Sequence, residues 1–323
     1  MDSMGSLKIP TMGWHVLTAL ILIGLVWGLA AVTNRINYQW TWYRLPEYFV
    51  FQSEEVRFAP GDGKVESLER LGDQVRLILV LDNGARESLT ISHASLELDE
   101  GERVRAGDPL GAESIMRQGL LVKGMVTTLH LSLLSGLLAM AIGLLGGLAR
   151  ISKNPTLYAL STGYIEVVRG TPLLVQLFIF YFFIGTVLEL SRYTAGLLAL
   201  AIFSGAYVAE IIRAGIQSIH RGQMEAARSL GMNYFQAMAY IILPQAVKRV
   251  LPALAGQFIS LIKDSSLVSV IAITDLAKAG REIITNTFAT FEIWFTVAAL
   301  YFVLTFSLSL LTKTLERRMT AGD

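Results

Sequence analysis

The sequence predicts an all-α polytopic membrane protein: one N-terminal transmembrane helix, a small inserted all-β extramembrane domain, and a core of five further spans. Three observations predict it. The 323-residue chain is 53% hydrophobic, with a mean hydropathy of +0.52, above what a soluble globular chain carries. Its apolar residues gather into runs long enough to cross about 30 Å of hydrocarbon. Between the first run and the others lies a polar stretch, residues 34–118, made of short alternating segments.

The first apolar run, residues 12–33, follows Lys8 and gives a domain at 1–34. A cleaved signal peptide is the competing reading. Its apolar region is about 7–15 residues and ends in a small-residue cleavage site. Here the run is longer and Gly28-Leu29-Ala30-Ala31 is only a faint match, so a retained anchor is favoured.

Residues 35–118 form the second expected domain. Trp40, Trp42 and Tyr43 have amphipathic rings suited to a membrane interface. Alternating runs such as Val75-Arg76-Leu77-Ile78-Leu79-Val80-Leu81 then meet Asp82-Asn83-Gly84, a hairpin signal. With Gly63-Lys64-Val65 early and Glu100 to Gly111 late, the layout resembles the barrel-sandwich fold of biotinyl/lipoyl-type domains, shared by lysostaphin-type peptidases. A carrier of that family needs a lysine at its hairpin tip, and this tip reads Asp82-Asn83-Gly84-Ala85-Arg86. A zinc peptidase needs a His-x-His pair plus a further His and Asp, and His93 stands alone. A binding or scaffolding module remains, with docking of a solute-binding protein as one version.

The third domain, 119–318, carries spans expected near 121–149, 165–189, 194–216, 242–273 and 290–312. Gly143 and Gly147 in the first give the GxxxG spacing that lets helices approach closely in lipid. Lys and Arg set the orientation. Arg150, Lys153 and Arg169, then Arg213 to Arg249, then Lys313, Arg317 and Arg318 fall on one side by parity, hence the cytoplasm. Both termini are then cytoplasmic and the β domain faces outward. The loop at 274–289, expected outside, holds Lys278 and Arg281 against that trend, partly balanced by Asp275 and Glu282.

One stretch between spans is not apolar. Arg221, Glu225, Arg228, Lys248 and Arg249 make it cationic, and Met224, Ala227, Leu230 and Gly231 fall at helical spacing. Residues 221–230 therefore read as a surface amphipathic helix that Gly231 ends. Pro244 is expected near the start of the next span, where a missing N–H matters least. Glu225-Ala226-Ala227, three residues, Gly231, nine residues, then Ile241-Ile242-Leu243-Pro244 resembles the cytoplasmic coupling loop of ABC import permeases. The runs Tyr164 to Gln176, Gly205 to Arg213 and Ile262 to Leu267 are similar to permeases of polar amino-acid importers of the histidine/glutamine/arginine type. The resemblance covers about residues 119–315 and implies the five-helix ABC importer permease core. It also implies that a helix at about 221–231 drops into a groove on an ATPase subunit, with Glu225, Ala226, Ala227 and Gly231 carrying the coupling.

Polar residues within spans point to function because lipid penalises them. Glu210 and Arg213, and likewise Glu166 and Arg169, stand at i,i+3 and read as ion pairs, structural or gating. Gln257, Ser260, Lys263 and Asp264 make the middle of the 242–273 span polar, either lining the path or fixing helix register. Gln176, Gln257 and Ser260, with Lys263 and Asp264, are the candidate substrate-path residues.

A net charge of +1 argues against a nucleic-acid partner, and the absence of cysteine removes thiol and disulfide chemistry. His15, His93, His130 and His220 have no ligand spacing, and no catalytic, metal or cofactor site is expected. There is no Gly-x-x-x-x-Gly-Lys-Ser/Thr loop, so ATP must be hydrolysed elsewhere. The resemblance implies a permease subunit, not an enzyme, of an amino-acid importer in a bacterial inner membrane. Its implied partners are an ABC ATPase dimer, a second or sister permease, a solute-binding protein and the lipid bilayer. The alternative is an ATP-independent channel or transporter with a sensory β domain.

Overall fold

The computed structural model describes residues 11–72, 74–92 and 98–320. Contacts divide the chain into two compact units, residues 1–43 and 44–323. In the first, helix α1 (Thr11–Arg35) has no preferred apolar stripe, and Trp14, Leu20, Ile23 and Trp27 are all exposed. A helix apolar all round has no face to turn to water.

The second unit begins with β1 (Val50–Phe58), β2 (Gly63–Leu71), β3 (Gln74–Leu81), β4 (Arg86–Ser92), β5 (Arg103–Val104) and β6 (Pro109–Gln118). β1 and β6 pair into an antiparallel ribbon, while the others form a sheet ordered β4-β3-β2-β5. The alternation in β3 sends Val75, Leu77, Leu79 and Leu81 into a core with Val65, Ile91, Val104 and Leu110. The expected hairpin at Asp82-Asn83-Gly84 is present, Gly84 adopting φ +83°. His93 lies outside the described residues. At the foot of the ribbon the Gly119 N–H donates to the Phe49 carbonyl at 2.7 Å. Leu45, Tyr48 and Phe49 pack there against Leu121, Leu276 and Ile293, so the β region is bolted to the helices.

The helices that follow are α2 (Leu120–Arg150), α3 (Pro155–Gly170), α4 (Leu173–Val187), α5 (Arg192–Gln217), α6 (Arg221–Ser229), α7 (Tyr234–Ile271), α8 (Leu276–Thr287) and α9 (Thr290–Thr320). Among the described residues, α2, α5, α7 and α9 are long and apolar enough to cross a membrane, and α3 with α4 makes a fifth crossing if taken together. The unbroken span expected at 165–189 is corrected: α3 and α4 meet at 106°. Pro172 has no N–H to donate and forces Thr171 into an extended backbone (φ −119°, ψ 143°), which ends α3. The span expected at 242–273 instead starts at Tyr234, where Asn233 and Gln236 cap each other's backbone N–H. Pro244 thus sits inside α7, just past a wide π-type turn at Met238–Ile242. The expected loop at 274–289 is largely helix α8, capped by Asp275.

The glycines of α2 do what their spacing implies. A Cβ on Gly143 would lie 2.3 Å from Val208 Cγ1, and one on Gly147 would lie 2.7 Å from the Ala209 carbonyl oxygen. α2 and α5 touch there backbone to backbone. Gly143→Leu should destabilise the fold by at least about 1–3 kcal/mol, the range for overpacking a tight contact. Thermal melting of the detergent-solubilised chain reads this, and an unchanged melt would mean the two helices do not meet at Gly143.

Candidate functional site

α6 exists because its polar residues leave one side narrow and apolar. Met224 and Ala227 turn toward the cluster of Ile216, Ile219 and Ile242, whereas Arg221, Glu225, Ala226 and Arg228 face outward. His220 caps the start, its Nδ1 accepting the Gly222 N–H at 3.1 Å. At the other end Gly231 takes φ +86°, and the Gly231 and Met232 N–H groups donate to the Arg228 and Ala227 carbonyls at 3.0 and 3.2 Å. This is the left-handed closure that glycine adopts without strain. Ala227 lies on the inner stripe with Met224, as their spacing implies, whereas Leu230 does not. Ala227 is 4% exposed and packs inward, so the outward slim position is Ala226 alone. Leu230, expected on the inner stripe, is 84% exposed, because the chain has already left the helix. Phe235 and Tyr240 are similarly exposed at 81% and 72%, apolar surface just past α6 in the chain that sequence reasoning missed. Two bare aromatics just before an apolar run were the available signal.

Near the C-terminal end of α5, charged residues from three helices converge. Glu210 grips Arg213 through two bonds of 2.5 and 2.9 Å and takes a third from Arg150 at 3.2 Å. Arg169 approaches Glu210 at 3.9 Å and lies over the Tyr207 ring at 5.3 Å. The Glu210–Arg213 pair is as expected. The Glu166–Arg169 pair is corrected: Glu166 bonds Arg150 at 2.8 Å on α2, while Arg169 reaches α5. Helix packing offers each group a nearer partner than its own i+3 neighbour.

The candidate path residues separate. Gln176 is buried, and its Nε2 donates to the carbonyls of Val168 (2.8 Å) and Thr171 (3.2 Å) and to Thr171 Oγ1 (2.8 Å). It ties the two arms of the α3–α4 break and serves the Val168 carbonyl, which Pro172 four residues on cannot. Gln257, Ser260 and Asp264 are half-buried along one face of α7, while Lys263 turns outward. Lys263 and Asp264 sit near the C-terminal end of α7, not at its centre, because the helix begins earlier and tightens into a 3-10 turn at Ser265–Ile271.

Asp275 is fully buried where α2, α8 and α9 meet. Its carboxylate accepts the Ala277 and Lys278 N–H groups at 3.1 and 2.9 Å and the Tyr301 hydroxyl at 3.2 Å. Burial raises its pKa above the usual carboxylate value, opposed by those donors and by Arg281. A raised folded pKa contributes stability below the unfolded value of about 3.9, and that contribution fades as pH climbs through the folded pKa. Asp275→Asn should keep the cap and remove this slope, so the melting difference between the two proteins shrinks toward acid. Asp275→Ala should cost about 1–2 kcal/mol, as loss of an N-cap does. Melting curves at several pH values check both, and parallel profiles for wild type and Asp275→Asn would contradict the assignment.

A model of the family "Binding-protein-dependent transport system inner membrane component" matches residues 139–321. The chain is similar to the glutamine transport system permease protein GlnP of Escherichia coli K12, 41% identical over 203 residues, covering 62% of this chain and 93% of that protein. It is 43% identical over 193 residues to the probable glutamine ABC transporter permease protein GlnM of Bacillus subtilis, covering 58% of this chain and 89% of that one. Among solved structures, an amino acid ABC transporter crystallised with histidines aligns at 45% identity and a TM-score of 0.58, covering 62% of this chain and 94% of that chain.

Proposed function

This chain belongs to the family of binding-protein-dependent transport system inner membrane components, and from that membership we propose how it works. It is the membrane permease subunit of an ATP-driven importer of a polar amino acid, and it is not itself an enzyme. The observation that carries the mechanism is α6: a short, capped helix with Glu225 outward, closed by Gly231, on a chain with no nucleotide loop. ATP draws two ATPase subunits together, α6 moves with them, and the spans open toward a solute-binding protein; hydrolysis returns them inward. Each step shifts a two-state equilibrium through differential binding.

Glu225, Ala226 and Gly231 make the ATPase contact in this reading, with Ala227 holding α6 to the core. Gln257, Ser260 and Asp264 face the amino acid's path, with Lys263 at its outer edge, and Gln176 holds the bent α3–α4 crossing beside it. Residues 1–34 anchor the chain, both termini lie in the cytoplasm, and a barrel-sandwich-like β domain at 35–118 stands on the outer face. The core at 119–318 works with a second copy or a sister permease. Support comes from the Lys/Arg parity, from the apolar girth of α1, and from relatives named for glutamine.

Proteoliposomes holding the chain, its ATPase and a solute-binding protein should take up a polar amino acid only when ATP is supplied on the α6 side. Uptake down a gradient by the chain without its ATPase would overturn this reading.

A further inference from the structure

On the core-facing side of α6 lies a cavity of about 620 Å³, between that helix, the α2–α3 turn and the first turns of α7. Arg150 and Arg221 line it, with Ser152, Tyr158 and Tyr234, and no carboxylate is among its lining residues. Its floor is apolar, formed by residues such as Ile216, Met224 and Met238. The ion cluster behind Arg150 sets three arginines (Arg150, Arg169, Arg213) against two glutamates (Glu166, Glu210), leaving one positive charge in excess. Arg221 adds another at the mouth. Guanidinium and hydroxyl-bearing side chains above hydrocarbon walls suit a phosphate group carried on an apolar stem.

We propose that this cavity binds a phosphate-bearing anion, supplied either by an anionic phospholipid headgroup or by soluble phosphate. The site is separate from the ATPase contact, since Glu225 and Ala226 point away from it while Met224 points into it. Arg150 contributes charge, its terminal nitrogens being held by Glu166 and Glu210, while Arg221 on α6 makes the direct contact, so an occupant sets where α6 rests against the core. Only that consequence depends on α6 being the coupling helix. Binding itself does not.

The test is equilibrium binding to the detergent-solubilised complex of chain and ATPase, with dihexanoyl phosphatidylglycerol, dihexanoyl phosphatidylcholine and inorganic phosphate as probes. Phosphatidylglycerol should bind more tightly than phosphatidylcholine. Arg221→Ala should weaken it about tenfold, the effect of losing one charge-assisted contact, and Arg221→Lys should restore most of the loss. Arg221 is exposed, so neither variant threatens the fold. Competition by inorganic phosphate would assign the site to a soluble anion, and its absence, with phosphatidylglycerol bound, to lipid; both support an anion site. Equal binding of the two lipids, or an Arg221→Ala complex that binds like wild type, would overturn it.

Discussion

A Gly231→Trp chain should insert, assemble with its ATPase and hydrolyse ATP, yet lose most of its uptake. Gly231 holds φ +86°, and its N–H closes the end of α6 on Arg228. Nothing lies within 4 Å of a Cβ built there, so the penalty of a side chain is backbone strain, not collision. That strain costs on the order of 1–3 kcal/mol, which shifts the turn's population by roughly five- to over a hundredfold. The turn also sets where Leu230 and Phe235, both exposed, leave the end of α6. Rotating it moves that exposed surface relative to the helix, so ATPase turnover continues without driving the spans. Gly231→Ala should show nearly the same defect, because the strain comes from φ +86° and bulk meets nothing there. Side-by-side assays of ATP hydrolysis and amino-acid uptake decide it. Wild-type uptake from Gly231→Trp would remove α6 from the transmission.

The parts of this architecture that the sequence made legible are those ruled by composition. Apolar runs gave α2, α5 and α9 nearly to their ends, and the alternation of Val75 to Leu81 gave the buried face of β3. The misplacements have local causes. Thr171-Pro172 carried the signal for the α3–α4 break, since the residue before proline avoids the helical region, but the apolar run across it masked that signal. The start of α7 was written in Asn233 and Gln236, a capping pair outside the apolar run that hydropathy follows. Partner choice in the ion cluster was beyond reach. Glu166 is equally three residues from Arg169 in sequence and hydrogen-bonded to Arg150 in space, and only the packing of α2 on α3 decides between them. The same holds for Asp275, which reads as a loop charge until α8 and α9 are seen to enclose it.

Replacing Glu210 by alanine should be the most destabilising single change at the charge cluster near the C-terminal end of α5. Three arginines converge on that carboxylate, and Arg150 and Arg213 keep only 15% and 25% of their side chains exposed. Removing it leaves guanidinium groups that water reaches poorly and that repel one another. Stripping one partner from a buried pair costs about 3–5 kcal/mol, and the lower end applies because Glu210 is itself 24% exposed. Arg213→Ala on the Glu210→Ala background should recover part of the loss, since one orphaned charge goes with it. Glu210→Gln should fall between, keeping shape and hydrogen bonding but not charge. Thermal melts of the solubilised variants separate the two roles the pair could play. A structural clasp predicts a lowered melt with little change in ATP hydrolysis by the surviving complex. A gate predicts a wild-type melt with faster hydrolysis in the absence of amino acid. The convergence of α2, α3 and α5 on one carboxylate favours the clasp, because any motion that opened it would have to part all three helices at once.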